Sequence, residues 1–308
     1  MAIVRTDLPM TSALCEQTIL QLLDTYPFLR SEALTTTAFG RPIQTLVLGE
    51  GNRRVLYSAA HHANEWITTP VLLKFAEELA EAIHTDREFY GYNPKEIWET
   101  ATIHLVPMVD PDGVDLVAGA IALGTSEYAS AEAIAADFPD IPFPDGWKAN
   151  LLGVDLNLQY PAGWLRAREI KFSQGFTRPS PRDYVGRAPL NQRESLALAE
   201  YTEEVDPALV LAYHTQGEVI YWQFLDYDIP GARELGEKFA QLSGYTLADT
   251  PYESSFAGYK DWFIQNFRRP GYTIECGTGE NPLPLSQFDE IYRDNVGILI
   301  TAALGLTE

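Results

Sequence analysis

The chain has 308 residues, 46% of them hydrophobic, and sets 43 acidic side chains against 22 basic ones for a formal net charge of −21. Such a surface repels phosphate backbones and anionic lipid, so nucleic acid and membrane are excluded as expected partners; at most the field steers a cationic substrate. Two cysteines, Cys15 and Cys276, cannot form a disulfide framework, and neither a secretory leader nor an 18-residue apolar span is visible. A cytoplasmic protein with free thiols is the expectation, with unconventional release as the alternative.

In chain order, residues 14–25 carry apolar positions at helical spacing. "IQTLVLGEG" and "RRVLYSAA" read as two strands around a Gly-rich turn, and "WITTPVLLKFAEELAEAI" as a helix packed on a sheet. "ATIHLVPMV" is an apolar strand that stops at "DPDG", which reads as a turn. Residues 118–190 are looser, with one helical piece, "SEYASAEAIAADF", and aromatic-rich loops suited to the walls of a pocket. Regular alternation then resumes. Helix "LNQRESLALAEYTEEV", strands "ALVLAYHT" and "EVIYWQF" and helix "GARELGEKFAQLS" come first, then helix "KDWFIQNF", strand "GYTIEC" and helix "DEIYRDNVGILITAAL". Strands alternate with helices, without repeats or linkers. That predicts one α/β domain over residues 1–308, with a mixed, mostly parallel twisted sheet flanked by helices. Residues 1–30 lead into it, and ligands should gather at strand ends.

Of five histidines, His84 at a helix end and His104 within a strand read as structural. His62 and Glu65 stand three apart where a strand gives way to a helix, and imidazole with carboxylate suits zinc. His-x-x-Glu alone arises often by chance. His61 points the other way if the strand continues, and reads as packing or as support for a ligand. His214 places another imidazole at a strand terminus, and three protein ligands with an open position make a catalytic zinc site. Glu275, at the end of "GYTIEC", offers a base for an attacking water. Cys276 beside it reads as a small buried apolar group.

Over roughly residues 30–305 these segments resemble the M14 metallocarboxypeptidases. "HHANEWI" resembles the family's zinc motif, "VDPDG" its Asn-Pro-Asp-Gly turn with Asp110 for Asn, and "GVDLN" the segment whose Asp orients the first zinc histidine. "AYHTQG" and "DWFIQNFRRPGYTIECG" resemble the third-ligand and catalytic-glutamate segments. The resemblance implies one zinc ion on His62, Glu65 and His214, Glu275 as catalytic base, Asp155 behind His62, and Asn157 in substrate binding. Two departures stand out. The arginine that clamps a terminal carboxylate in the exopeptidases is here Leu158, and the oxyanion arginine is Lys148. An apolar side chain cannot make that bidentate contact, so simple removal of C-terminal residues is not expected.

With "SPRDYVG", "HTQGEVIYW" and "GTGENPLP", these departures resemble the γ-D-glutamyl-L-diamino acid (meso-diaminopimelate) peptidase branch. The implied activity is hydrolysis of that bond in peptidoglycan-derived peptides. No LysM wall-binding repeat is seen, which favours soluble muropeptides. Arg182 and Arg187 in the long loop are candidates for binding substrate anions, and Tyr252 for capping substrate. The alternatives are an ordinary zinc carboxypeptidase with relocated carboxylate recognition, a zinc amidohydrolase, and a wall-peptide binding protein. Oligomeric state is not readable.

Overall fold

A computed structural model describes residues 2–306. α1 (Ser12–Thr25) begins where the Thr11 hydroxyl accepts the Leu14 N–H. β1 (Ala33–Thr36) and β2 (Pro42–Gln44) form a separate antiparallel pair. β3 (Leu46–Leu48), β4 (Arg53–Ala59), α2 (Thr68–Thr85), α3 (Pro94–Thr100) and β5 (Ala101–Val106) follow. Then come α4 (Pro111–Val117), α5 (Ser126–Ala135), α6 (Trp164–Ser173) and α7 (Arg193–Val205). β6 (Leu209–His214), β7 (Val219–Tyr221), α8 (Ala232–Ser243) and β8 (Thr246–Ala248) precede α9 (Tyr259–Phe267), β9 (Gly271–Glu275) and α10 (Phe288–Leu304).

The main sheet has the order β3-β5-β4-β6-β9-β7-β8. Its centre, β5-β4-β6-β9, is parallel, while β3 runs antiparallel to β5 and β7 antiparallel to β9. The expected mixed, mostly parallel α/β sheet is therefore what forms. One face packs Val55, Tyr57 and Leu211 against α2 and α10; the other packs Leu56, Val210 and Ala212 with Trp262, Phe263 and Leu198 of α9 and α7. Each large apolar side chain so buried contributes about 1.5–3 kcal/mol, and the near-continuous apolar runs of the central strands follow from having both faces covered. Among the described residues no helix is long and apolar enough to cross a membrane.

Three local readings change. The strand expected over "IQTLVLGEG" divides at the buried Thr45, whose hydroxyl takes the Glu32 N–H, so that β2 and β3 join different sheets. "DPDG" opens α4 instead of forming a free turn: the Asp110 carboxylate accepts the Gly113 N–H at 2.9 Å and Pro111 occupies the first turn. Of "EVIYWQF", only Val219–Tyr221 pairs as strand.

Parallel β4, β6 and β9 end together. His62 follows β4, His214 closes β6, and Glu275 closes β9 as the register partner of His214. Three strand ends thus bring residues from distant parts of the chain to one crevice.

Candidate metal centre and substrate cleft

Ligand atoms of His62, Glu65 and His214 all lie within 4.8 Å of one another. His62 Nδ1 is 2.9 Å from Glu65 Oε1, His214 Nδ1 is 2.8 Å from Glu65 Oε2, and the two Nδ1 atoms are 3.2 Å apart. Both of those nitrogens cannot carry a proton toward the other. Donors bonded to one tetrahedral zinc at about 2.0–2.1 Å would stand roughly 3.3 Å apart, so this donor set fits zinc in type and in spacing. The short 3-10 turn Ala63–Glu65 swings Glu65 back over His62 before α2 begins.

Behind the triad, His62 Nε2 lies 3.2 Å from Asp155 Oδ1, which leaves Nδ1 as the lone-pair face. Burial lowers the His62 pKa, but the Glu65 and Asp155 carboxylates outweigh it and hold the ring up at about 9. Burial raises both Glu65 and Asp155; the surrounding cations win and bring each below its ordinary range. Lys148 Nζ donates to Glu65 Oε1 at 2.8 Å. Its own segment is pinned by Lys148 N–H to the Pro181 carbonyl and by Ala63 N–H to the Lys148 carbonyl. Thr215 N–H reaches Glu65 Oε2 at 3.3 Å, and Thr215 and Asn281 exchange two hydrogen bonds.

Burial in this crevice raises the Glu275 pKa above the ordinary carboxylate value, against the lowering pull of His214 and Lys148. It stands where two cavities meet, one of about 270 Å³ and one of about 790 Å³, which share Lys148, Arg182, Tyr221 and Glu275 in their walls. Asn157 and Leu158 line the smaller cavity; Asn157 Oδ1 also accepts the Tyr259 N–H.

The structure therefore draws together His62, Glu65, His214, Glu275, Lys148, Asp155, Asn157 and Arg182. Two expected substrate contacts are not brought in. Arg187 is exposed and lines neither cavity: the buried Val185 is held through its carbonyl by Gln159 and Trp164, and Gly186 at φ +79° turns the chain outward. Tyr252 is 58% exposed at the rim, where its hydroxyl meets Arg166 and its ring meets Phe256; its neighbours Pro251 and Ser254 line the cavity instead.

Other side chains at the site escaped the sequence reading. Lys171 pairs with Asp183, and a buried Lys260–Asp261 pair sits in the cavity wall. Lys260 opens "KDWFIQNF", next to the Asp-Trp pair, but nothing in sequence marks a lysine as buried. His61 is fully buried, 3.2 Å from the Tyr160 hydroxyl and stacked at 5.5 Å on the His214 ring. Burial pushes the Cys276 thiol well above its usual value, so it is an unreactive protonated group.

The sequence model of the zinc carboxypeptidases, the M14 peptidases, matches residues 15–297. The chain is 42% identical over 282 residues to γ-D-glutamyl-L-diamino acid endopeptidase 1 of Lysinibacillus sphaericus, covering 92% of this chain and 69% of that protein. It is 37% identical over 286 residues to the uncharacterized protein YqgT of Bacillus subtilis, covering 92% and 74%. Among solved structures, thrombin-activatable fibrinolysis inhibitor superposes with a TM-score of 0.76 at 14% identity, covering 98% of this chain and 76% of that one. The murein-tripeptide amidase MpaA of Escherichia coli O157 gives 0.54 at 19% identity, covering 88% and 91%. At such identities the likeness to solved structures is one of fold.

Proposed function

The chain belongs to the zinc carboxypeptidase family, the M14 peptidases, and we propose that this metallopeptidase hydrolyses the γ-D-glutamyl-diamino acid bond of peptidoglycan-derived peptides. Leu158 carries this reading. It lines the cavity, 9% exposed, at the position that resembles the exopeptidases' carboxylate-clamping arginine, so no guanidinium there grips a chain end. The relative from Lysinibacillus, whose name states this bond, supports it.

His62, Glu65 and His214 would hold zinc, which when bound polarises the scissile carbonyl and acidifies a water. Asp155 keeps the His62 ring turned so that Nδ1 faces inward. Glu275 takes the proton of the attacking water and hands it to the departing amine, a transfer aided by the raised affinity for protons that burial gives it. Lys148 supplies positive charge beside the carbonyl oxygen as negative charge develops there. Asn157 donates to the peptide with its amide N–H₂, since its Oδ1 is occupied by the Tyr259 N–H.

The test is mass spectrometry of products from L-Ala-γ-D-Glu-meso-diaminopimelate and from a hippuryl dipeptide. Release of free diaminopimelate with the hippuryl peptide intact is expected. Cleavage of the hippuryl peptide alone would make the protein an ordinary carboxypeptidase, and bound zinc with neither product would make it a binding protein.

A further inference from the structure

Four cations line the smaller cavity in a chain whose net charge is −21: Lys148, Lys171, Arg182 and Lys260. The three lysines each already hold an acidic partner at the nitrogen that bears the charge. Lys148 donates to Glu65, Lys171 to Asp183, and Lys260 to the Gln223 carbonyl at 2.6 Å with Asp261 at 2.6 Å. Arg182 differs. Only its Nε is engaged, to Asp183 Oδ2 at 2.8 Å, and both terminal nitrogens are without a hydrogen-bond partner among the described residues. A guanidinium held at one edge presents its remaining N–H groups as a fork that matches a carboxylate.

Its position is set from behind. Asp183 accepts Lys171 Nζ at 2.5 Å with the oxygen not used by Arg182, and its backbone N–H is taken by Asp155 Oδ2 at 3.2 Å. Arg182 and Lys148 line the walls of both cavities together, so two positive groups face the space an anion would enter. Because Arg182 lines both cavities where they meet at Glu275, the anion it receives stands next to the bond being broken.

We propose that Arg182, braced by Asp183 and Lys171, receives the free α-carboxylate of the γ-linked glutamyl residue and so makes that carboxylate a condition of cleavage. The assignment rests on the proposed substrate class. A γ-linkage leaves the α-carboxylate unblocked a few bonds from the scissile carbonyl, whereas the amidated form of the same residue offers a neutral group. Asp183 is a positioning residue in this arrangement, and Arg182 sets specificity.

The experiment compares kcat/KM for L-Ala-γ-D-Glu-meso-diaminopimelate and for the same tripeptide with the glutamyl α-carboxylate converted to an amide. The wild-type protein is expected to prefer the free carboxylate by about tenfold to a hundredfold, the size of a charge-assisted hydrogen bond. Arg182→Gln should bring the two rates to within about threefold of each other, mainly through KM. Asp183→Asn should narrow the preference, and Arg182→Lys should restore part of it. Zinc content and thermal unfolding of each variant report folding, and Arg182 is exposed enough to be replaced without loss of the core. Cleavage of neither peptide by the wild type would overturn the substrate class. Cleavage of both, with the preference kept in Arg182→Gln, would overturn only the role of Arg182.

Discussion

Lys148 Nζ donates to Glu65 Oε1 at 2.8 Å, the same oxygen that lies 2.9 Å from His62 Nδ1. One cation thus neutralises a carboxylate whose two oxygens are both turned toward imidazoles, while its ammonium stays at the cavity wall. Lys148→Met is expected to lower kcat/KM by about 10²–10³, the usual cost of one oxyanion donor. Lys148→Arg should recover much of it, because charge rather than chain shape is what the site uses. Equal losses in the two variants, measured on the tripeptide, would contradict this.

Glu275→Gln removes the proposed base and keeps the shape. A fall in kcat of about 10²–10⁴ with zinc content unchanged by elemental analysis is expected. The wild-type pH profile carries a second mark. Burial raises the Glu275 pKa above the ordinary value of 4.5, and the base works only when ionised, so activity should fail with acid at a pH above 4.5. An acid limb at or below 4.5 would speak against Glu275.

Asp155→Asn leaves His62 Nε2 without its carboxylate. Loss of such a supporting group typically costs about 10–100-fold in metal affinity, which chelator competition would measure. Zinc retained with wild-type affinity would show that Asp155 does not orient the ring.

Far from the cleft, His104 Nδ1 lies 2.7 Å from the Tyr201 hydroxyl, and burial, helped by Arg30 and Arg54, pushes its pKa down to about 4. An unfolded histidine titrates near 6.5. Between those values the unfolded chain binds a proton that the folded chain refuses. The contribution to stability is therefore full above 6.5 and is lost as pH falls toward 4. His104→Gln, which keeps an acceptor for Tyr201, should flatten that part of the curve in urea melts at about pH 7 and pH 5. An unchanged slope would assign the acid sensitivity elsewhere.

Arg41 joins Asp112 at 2.8 Å, Asp115 at 2.7 Å and Glu127 at 3.4 Å, tying the β1–β2 connection to α4 and α5. Asp112 and Asp115 are buried, so Arg41→Met strands two carboxylates and is expected to cost about 3 kcal/mol of stability by urea denaturation. A loss well under 1 kcal/mol would place the pair among surface ion pairs.

What is legible in the amino-acid sequence follows from how each residue announces itself. His62, His214 and Glu275 each close an apolar run, and apolar runs of that length are strands whose ends must lie together in a parallel sheet. "DPDG" misled because Asp, Pro and Gly serve a turn and a helix start through the same backbone chemistry. β1, four residues whose burial runs exposed, half-buried, half-buried, exposed, and three-residue β8 are too short to show a period. Lys171, Asp183 and Lys260 were illegible for another reason. A charged residue looks the same in sequence whether solvated or walled into a cleft, and only packing of α6 and α9 decides it. Arg182 and Arg187 stood as equals in one loop until Gly186 separated them.

Asp155 spends one oxygen on His62 and the other on the backbone of Asp183. The ring proposed to hold the metal and the loop that carries Arg182 therefore hang from a single hinge pin. On the proposed site, Asp155→Asn is expected to disturb metal affinity and choice of peptide together.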